Sequence, residues 1–262
     1  MQCADHWSSG CEVSAWHGTD ANSLPAEGTI FRGWRGDVSD SLSSQTTIKI
    51  DNHKVVTAIF SKTYEIWTLD DLQNLPEADL NGKYLVMADI DASETRNWND
   101  GLGFAPIGKN SSFTGILDGQ GFTVSNMYID RSEEEYAGLF ASLSGRAEVS
   151  NYNLRSFKVC GSRYVGALAG VADNSTVTSC TATDLEVTGS YNYNTGSYFA
   201  GIGGLIGFNS GVLTDSEVGG KVNALDNYSY VGGLVGWDAG LLVNVRSLAE
   251  VSGFMKQSYV GG

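Results

Sequence analysis

A glycine-rich phrase that recurs through the second half of the chain constrains its fold more than any other feature. It reads YVGALAG at residues 164–170, GIGGLIG at 201–207 and YVGGLVG at 230–236, and another copy starts with YVGG at 259–262. Equivalent glycines follow each other after 37, 29 and 29 residues, and the long interval contains the insertion SYNYNTGSYFAG. A fixed period of this size predicts stacked units, each of which buries its apolar face only against its neighbours.

The segments between the copies predict strands. Runs such as VLTDSEVGGKV (212–222) and LLVNVRSLAEV (241–251) place apolar residues at alternate positions, and helical spacing is nearly absent. The chain has 33 glycines but only 3 prolines, which suits many tight turns in an all-β protein. We therefore expect an all-β chain whose main part is a right-handed parallel β-helix (β-solenoid), with like residues stacked in its interior.

Residues 1–62 have a different pattern and predict a separate small β module. GTIFRGWRGD (28–37) is typical of a strand followed by a turn, and TTIKI (46–50) and KVVTAIF (54–60) are alternating strands joined by the short turn DNH. Residues 63–262 form the predicted solenoid. Because both ends of the chain are abrupt, we expect a piece of a longer protein, with the module cut at its front and the solenoid cut at its C terminus.

One helix is predicted, and it precedes the solenoid. Thr68 suits the N-cap position, with Asp71 three residues later, and Leu69 and Leu72 share one face before Pro76 ends the helix. A helix at this point would cap the first coil, whose apolar interior would otherwise face solvent.

These residues carry two resemblances. The recurring GGLVG with its downstream N-x-G, together with the lead-in segments YLVMADIDAS, GFAPIG and FTGILDGQGFTVSNMYI, resembles the GLUG motif over residues 64–262. That resemblance implies a β-helix of the kind found in secreted or surface-attached bacterial proteins, including adhesins and immunoglobulin A peptidases. Residues 3–61, through FRGWRGD, IDNHK and VVTAIF, resemble a divergent internalin-type B repeat, which implies a spacer or interaction module. The asparagine–cysteine step frequent in GLUG arrays is replaced here by Ser179-Cys180, Asp215-Ser216 and Asn244-Val245.

The charge of the chain narrows its partners and location. The net charge is −14, and residues 63–262 hold 11 Lys and Arg against 23 Asp and Glu. Because such a surface repels phosphates, we expect neither nucleic acid nor an anionic membrane as a partner. No stretch approaches the roughly 20 apolar residues that cross a bilayer, and MQCADHW has no signal-peptide features. We expect an extracellular or cell-surface, monomeric segment whose export signal lies elsewhere.

The histidines exclude several enzyme classes from the solenoid. His6, His17 and His53 all precede residue 63, so residues 63–262 cannot form a Ser-His-Asp or Cys-His triad. The HExxH zinc-protease signature is absent as well. Cys160 and Cys180 lie in strand-like runs, where a free cysteine behaves as a small buried hydrophobe; a disulfide between them is the alternative.

Metal sites are not favoured by the sequence. Cys3 and Cys11 lie close together in a loop-like stretch, which predicts a local disulfide in an exported protein. A zinc site formed with His6 and His17 is the alternative, but the spacing matches no common structural site. The acidic run at 133–135 suggests calcium, yet three consecutive residues on a strand cannot converge on one ion, so a solvated acidic loop is preferred and no cofactor is expected.

Carboxylates on a sheet face are the candidates for catalysis. Asp89 and Asp91 flank one inward-facing position and so point to the same side, and Asp118 and the pair Asp130-Arg131 are further candidates. Paired carboxylates would allow a polysaccharide lyase or a glycosidase. The simpler interpretation is that these aspartates end strands and bond to the local backbone in turns. Catalysis therefore stays an alternative to a non-catalytic segment.

Aromatic residues are the candidates for binding. Tyr191, Tyr193 and Tyr198 lie in the insertion among Asn, Ser and Gly, a mixture typical of adaptable binding loops. Trp98 and Trp237 are predicted in turns, where each ring could stack on a sugar. The alternative is that these rings only cover the side of the solenoid. We expect a non-catalytic, adhesin-like scaffold with an extracellular glycan or a host or neighbouring-cell protein as partner; the alternatives are a carbohydrate-active β-helix enzyme or its accessory module, and an ancillary solenoid of a large secreted peptidase.

Overall fold

The computed structural model describes residues 11–13, 20–22, 26–49, 51, 54–75, 79–190, 199–225, 229–253 and 259–261. The chain divides into two compact units, Met1–Tyr64 and Glu65–Gly262. Strands dominate the described residues, so the all-β prediction is confirmed. No helix in these residues is long and apolar enough to cross a membrane.

The elements follow each other along the chain with short connections. The first are β1 (Cys11–Val13), β2 (Asp20–Asn22), β3 (Thr29–Arg35), β4 (Gln45–Thr47), β5 (Val56–Ile66) and helix α1 (Leu69–Gln73). Strands up to the first GLUG phrase are β6 (Lys83–Val86), β7 (Ile90–Asp91), β8 (Ile116–Asp118), β9 (Thr123–Ser125), β10 (Tyr128–Arg131), β11 (Tyr136–Ala137), β12 (Phe140–Leu143), β13 (Glu148–Ser150), β14 (Asn153–Arg155) and β15 (Lys158–Gly161). The remaining strands are β16 (Tyr164–Val165), β17 (Ala169–Ala172), β18 (Thr176–Thr178), β19 (Thr181–Gly189), β20 (Ala200–Gly203), β21 (Ile206–Asn209), β22 (Val212–Thr214), β23 (Glu217–Ala224), β24 (Ser229–Gly232), β25 (Val235–Asp238), β26 (Leu241–Val243), β27 (Arg246–Ser247), β28 (Glu250–Ser252) and β29 (Tyr259–Gly261).

The first unit is a small antiparallel arrangement. Strand β5 pairs with β1 on one side and with β3 on the other, and β2 pairs with β4. Trp34, Ile48, Val56 and Ala58 form its buried core. The sequence placed two consecutive strands around the turn DNH, but β4 and β5 do not pair with each other, because both edges of β5 are already occupied.

Helix α1 begins as predicted. The Thr68 side chain accepts a hydrogen bond from the Asp71 amide, and the Asp71 carboxylate accepts one from the Thr68 amide, which is a capping box. The hydrogen bond from Thr68 is the main reason that the pKa of Asp71 is lowered. The helix ends at Gln73, and Pro76 lies outside the described residues.

The second unit consists of parallel sheets in which each strand pairs with its equivalent one repeat away. Sheet I contains β6, β8, β13, β18, β22 and β26; sheet II contains β7, β9, β10, β14, β15, β19, β23, β27 and β28. Sheet III is β11-β16-β20-β24-β29, and sheet IV is β12-β17-β21-β25. In sheet III, Tyr136 pairs with Tyr164, Tyr164 with Gly201, and Gly201 with Tyr230. The pairing therefore follows the sequence period and absorbs the insertion between β19 and β20.

Like residues stack in the interior, as the sequence predicts. Leu117, Val149, Val177 and Leu213 are successive partners in sheet I, and each is at most 1% exposed. The corner between sheets I and II repeats as well, because one residue in each coil has a left-handed backbone. These corner residues are Asn151, Ser179, Asp215 and Asn244, with φ between 51° and 53°. Short polar residues tolerate this conformation best, which explains why the altered asparagine–cysteine steps keep the fold.

Glycines of the repeated phrase let sheets III and IV approach without side chains between them. A methyl group on Gly207 in β21 would come within 2.5 Å of the Val165 backbone nitrogen in β16. On Gly170 in β17 it would lie 2.9 Å from the Tyr164 carbonyl oxygen. Real Cβ atoms do not approach backbone atoms this closely, so only glycine fits at these positions.

Candidate functional site

Two ladders of aromatic side chains meet where sheets III and IV pack together. The first ladder has Tyr136 in β11, Tyr164 in β16 and Tyr230 in β24, which occupy one register position of sheet III. The second has Phe208 and Trp237, which are register partners in sheet IV. With Phe199, which precedes β20, these rings form one cluster, called here the aromatic band. Its members are Tyr136, Tyr164, Phe199, Phe208, Tyr230 and Trp237.

The rings of the band are in continuous contact along the stack. The Tyr136 and Tyr164 rings are stacked with centroids 6.0 Å apart, and the Phe208 ring lies 5.7 Å from Tyr164 and 5.2 Å from Trp237. The Tyr230 ring lies 5.5 Å from Trp237. These separations are typical of favourable ring pairs. The band is therefore ordered by its own packing as well as by the sheets.

A gap in the tyrosine ladder gives the band its continuity between the sheets. Gly201 occupies the register position between Tyr164 and Tyr230, so no side chain stands there. A methyl group on Gly201 would lie 3.2 Å from the Trp237 backbone nitrogen. Phe208 and Trp237 contact the flanking tyrosines across this gap.

The band presents apolar rings to solvent beside one cation. Phe199 is 44% exposed and Tyr136 is 36% exposed, whereas Tyr164 is 9% exposed. The Arg163 guanidinium lies 4.7 Å from the centre of the Tyr164 ring, and its Nε donates to the Phe199 carbonyl oxygen at 3.3 Å. Burial is the main reason that the pKa of Tyr164 is raised. Rings held by packing and a cation–π contact form a rigid apolar surface with a polar margin.

The predicted aromatic candidates have different outcomes. Trp237 joins the band, but it lies on strand β25, so its predicted turn position is wrong: the turn begins only after Asp238, where the strand ends. Trp98 does lie in a turn, half-buried between two short 3₁₀ segments, and no other ring is paired with it in the described residues. Tyr191, Tyr193 and Tyr198 lie outside the described residues.

Sequence reasoning missed most of the band, although a signal was present. The tyrosines open successive copies of the phrase, and Phe208 and Trp237 each follow the last glycine of a copy by one residue. Residues at one repeat position stack in a solenoid, so this periodicity indicates neighbouring rings. Phe199 carries no such signal, because it lies next to the insertion.

The candidate catalytic carboxylates are engaged in local hydrogen bonds. Asp89 accepts from the Thr123 amide at 2.8 Å, and Asp118 accepts from the Gln120 amide at 2.9 Å and from the Asn151 side chain at 3.1 Å. Each bond joins a carboxylate to a neighbouring coil or to its own turn. This arrangement supports the structural interpretation of these aspartates.

Asp91 is fixed in the same way. Asp89 and Asp91 flank the buried Ile90 on the exposed side, as predicted. Asp91 accepts hydrogen bonds from the Asn126 side chain and from the Ser93 amide, both at 3.0 Å. Its pKa is lowered, chiefly by the bond from Asn126. A general acid needs a raised pKa, so the environment of Asp91 does not favour that role.

The remaining charged candidates form ion pairs. Glu134 pairs with Lys109 at 2.8 Å and with Arg131 at 3.3 Å, and Glu135 pairs with Arg163 at 3.8 Å. Among the described residues no group of three or more His, Cys, Asp or Glu is arranged to hold a metal ion. The acidic run thus serves as a set of partners for neighbouring cations.

Both cysteines of the second unit are free thiols. Cys180 is buried and Cys160 is half-buried, which confirms the preferred prediction for this pair. Burial raises the pKa of Cys180 to about 12 and also raises that of Cys160. The predicted Cys3–Cys11 disulfide and its zinc alternative fall on Cys3, which lies outside the described residues.

The stacked parallel strands and the repeated phrase define the second unit as a GLUG-motif repeat region. Residues 161–188 match the family model described as the GLUG motif. Over 208 residues, or 70% of this chain, the sequence is 36% identical to halomucin from Haloquadratum walsbyi, of which the matched region is 2%. The chain thus spans a small fraction of that relative's length.

A solved structure supports the fold. The crystal structure of a candidate immunoglobulin A1 protease from Bacteroides ovatus has a TM-score of 0.52 with this chain. The superposition covers 73% of this chain and 68% of the other, at 16% sequence identity. At that identity the likeness concerns the fold alone.

Proposed function

We propose that this chain is a non-catalytic, adhesin-like segment of a secreted or cell-surface protein, and that its second unit is a right-handed parallel β-helix that binds glycans through the aromatic band. The similarity to halomucin and the GLUG motif support a surface protein. The stacked interior supports a rigid spacer, because each coil is bonded to the coils before and after it.

The aromatic band is the observation that carries the binding proposal. Two of its members, Phe199 and Tyr136, are at least 36% exposed, and packing fixes the orientation of the rings. Pyranose rings have flat faces of C–H groups that pack on such aromatic surfaces, while Arg163 and the tyrosine hydroxyls offer hydrogen bonds to sugar hydroxyls. A band that spans several coils suits an extended chain of sugars better than a single residue.

A glycan array on the purified chain tests the proposal. The expected result is binding to one class of oligosaccharide that Trp237→Ala weakens about tenfold or more, since central aromatic residues dominate such interfaces. Trp67→Ala is the matched control, because Trp67 is 52% exposed and lies outside the band. Binding that survives Trp237→Ala and Phe199→Ala together would reject the band as the site.

A reducing-sugar assay on the same ligands separates the scaffold from an enzyme. The hydrogen-bonded state of Asp89, Asp91 and Asp118 supports binding without turnover. We expect no release of reducing ends from any glycan that binds. Release that is lost in the Asp91→Asn variant would replace the scaffold with the carbohydrate-active alternative.

A further inference from the structure

A second surface feature of the second unit lies apart from the aromatic band. It is a cleft of about 400 Å³, called here the corner cleft, between a short 3₁₀ arm (Ser93–Asn97) and three successive coils of sheet II. Its volume falls within the range of small-molecule sites. The lining residues are Ser93, Arg96, Asn126, Met127, Ser156, Phe157, Lys158, Asp184 and Glu186.

The arm that forms one wall is fixed to the sheet. Thr95 is fully buried; its hydroxyl donates to the Ala92 carbonyl oxygen at 2.6 Å and accepts from the Tyr128 amide at 2.9 Å. The neighbouring Arg96 guanidinium lies 5.3 Å from the centre of the Tyr128 ring. The cation at this end of the cleft is therefore positioned by a hydrogen-bonded arm and an aromatic ring.

The other wall is a line of corner residues from consecutive coils. Asn126, Ser156 and Asp184 have φ values of 62°, 55° and 54°, which is the left-handed conformation. Consecutive coils are about 4.8 Å apart, so the first and third corners are separated by about 10 Å. The left-handed backbone explains a short polar residue at each corner. It does not explain why the ends of the cleft carry opposite charges.

The two charges at the ends of the cleft lack protein partners. In the described part of the chain no carboxylate lies within 4.0 Å of the Arg96 guanidinium, and Asp184 has neither an ion pair nor a hydrogen bond. Between them Lys158 and Glu186 pair with each other at 3.5 Å. These four charges sum to zero, in contrast to a chain of net charge −14.

We propose that the corner cleft binds a short peptide of two or three residues with free termini. The peptide carboxylate bonds to Arg96 and its ammonium group bonds to Asp184. An extended peptide spans about 3.3–3.6 Å per residue, so two or three residues match the separation of about 10 Å. A zwitterion also meets no net repulsion from the acidic chain, whereas an anion does. Met127 and Phe157, each 1% exposed, supply an apolar floor.

Calorimetric titration of the chain with trialanine at low salt and pH 7 tests the proposal. We expect one-to-one binding that weakens about tenfold in Arg96→Gln and in Asp184→Asn, since a charge-assisted hydrogen bond contributes about 1.4 kcal/mol or more. N-acetyl-trialanine and trialanine amide should lose affinity to the same extent. Asp184→Asn keeps a residue suited to the left-handed corner, and circular dichroism checks that both variants fold.

Controls separate this site from the aromatic band. Glu94→Gln lies on the same arm but does not line the cleft, and Trp237→Ala changes the band; both should leave trialanine binding unchanged. Absence of binding up to about 10 mM trialanine, or equal affinity for the capped peptides, would overturn the proposal. Binding of glucuronate in place of trialanine would also overturn it, in favour of an acidic sugar.

Discussion

The early and late coils of the second unit place their aromatic side chains on opposite sides of the sheets. In the early coils, Tyr84, Phe113 and Phe140 are fully buried and in contact, with ring centroids 5.7 and 5.0 Å apart. In the late coils, Phe208 and Trp237 are only partly buried and belong to the aromatic band. The same residue type thus fills the interior near the start of the stack and covers its outer face further on.

Glycine and small aliphatic residues account for this difference. The register position of Phe140 is taken by Ala169, Ile206 and Val235 in the following coils of sheet IV. The GLUG phrase brings sheets III and IV into backbone contact, which leaves no interior space for a ring. A repeat that narrows the coil in this way makes its aromatic residues available for binding.

Truncating one ring of each kind should show the largest effect. Phe113→Ala leaves a cavity in a fully buried site and should lower the free energy of unfolding by about 3–5 kcal/mol. Trp237→Ala removes a partly exposed ring and should cost less than about half of that. Urea denaturation followed by circular dichroism measures both. Equal losses would contradict the distinction between interior and outer rings.

Filling the close approach of the sheets should come next in size. Gly207→Ala forces a methyl group against the Val165 backbone and should destabilise the chain by about 1–3 kcal/mol. Gly219→Ala in β23 is the control, since its methyl group would meet only the Leu248 side chain at 4.0 Å. Thermal melting of the two variants compares them. A Gly207→Ala variant as stable as Gly219→Ala would show that the sheets do not need glycine.

The left-handed corners should contribute a smaller amount. Asn151→Ala places alanine at φ 52° and removes the hydrogen bond to Asp118, so it should cost about 1–2 kcal/mol. Asn151→Gly removes the same bond without the conformational cost and should be less destabilising. The two free energies of unfolding, measured in one urea series, give the comparison; the reverse order would argue against a strained corner.

The smallest effect concerns pH. Because hydrogen bonds lower the pKa of Asp91 in the folded chain, its contribution to stability is present above its ordinary value of 3.8 and is lost as pH falls through the folded pKa. The difference in melting temperature between the native chain and Asp91→Ala should therefore be constant near about pH 6 and shrink toward about pH 2. A difference that grows on acidification would contradict the assigned direction.

Period and alternation predicted the stacked strands, the capped helix and the inward position of Ile90, because these depend on local pattern. They did not predict that β4 and β5 pair with other strands, since pairing partners depend on which edges are free. Of the site, Trp237 was predicted, while Phe199 was missed because it belongs to no repeat position. The corner cleft joins Arg96 to Asp184 across 87 intervening residues, and no local pattern reports such a meeting.

Fluorine NMR of the chain labelled with 5-fluorotryptophan tests the central claim most directly. The Trp237 signal is assigned by its loss in Trp237→Phe, and the labelled chain is titrated with the oligosaccharide selected on the glycan array. The account predicts a saturable shift of the Trp237 signal while Trp67, exposed but outside the band, stays unchanged. A shift confined to Trp67 or Trp98, with Trp237 unaffected, would contradict the aromatic band as the glycan-binding surface.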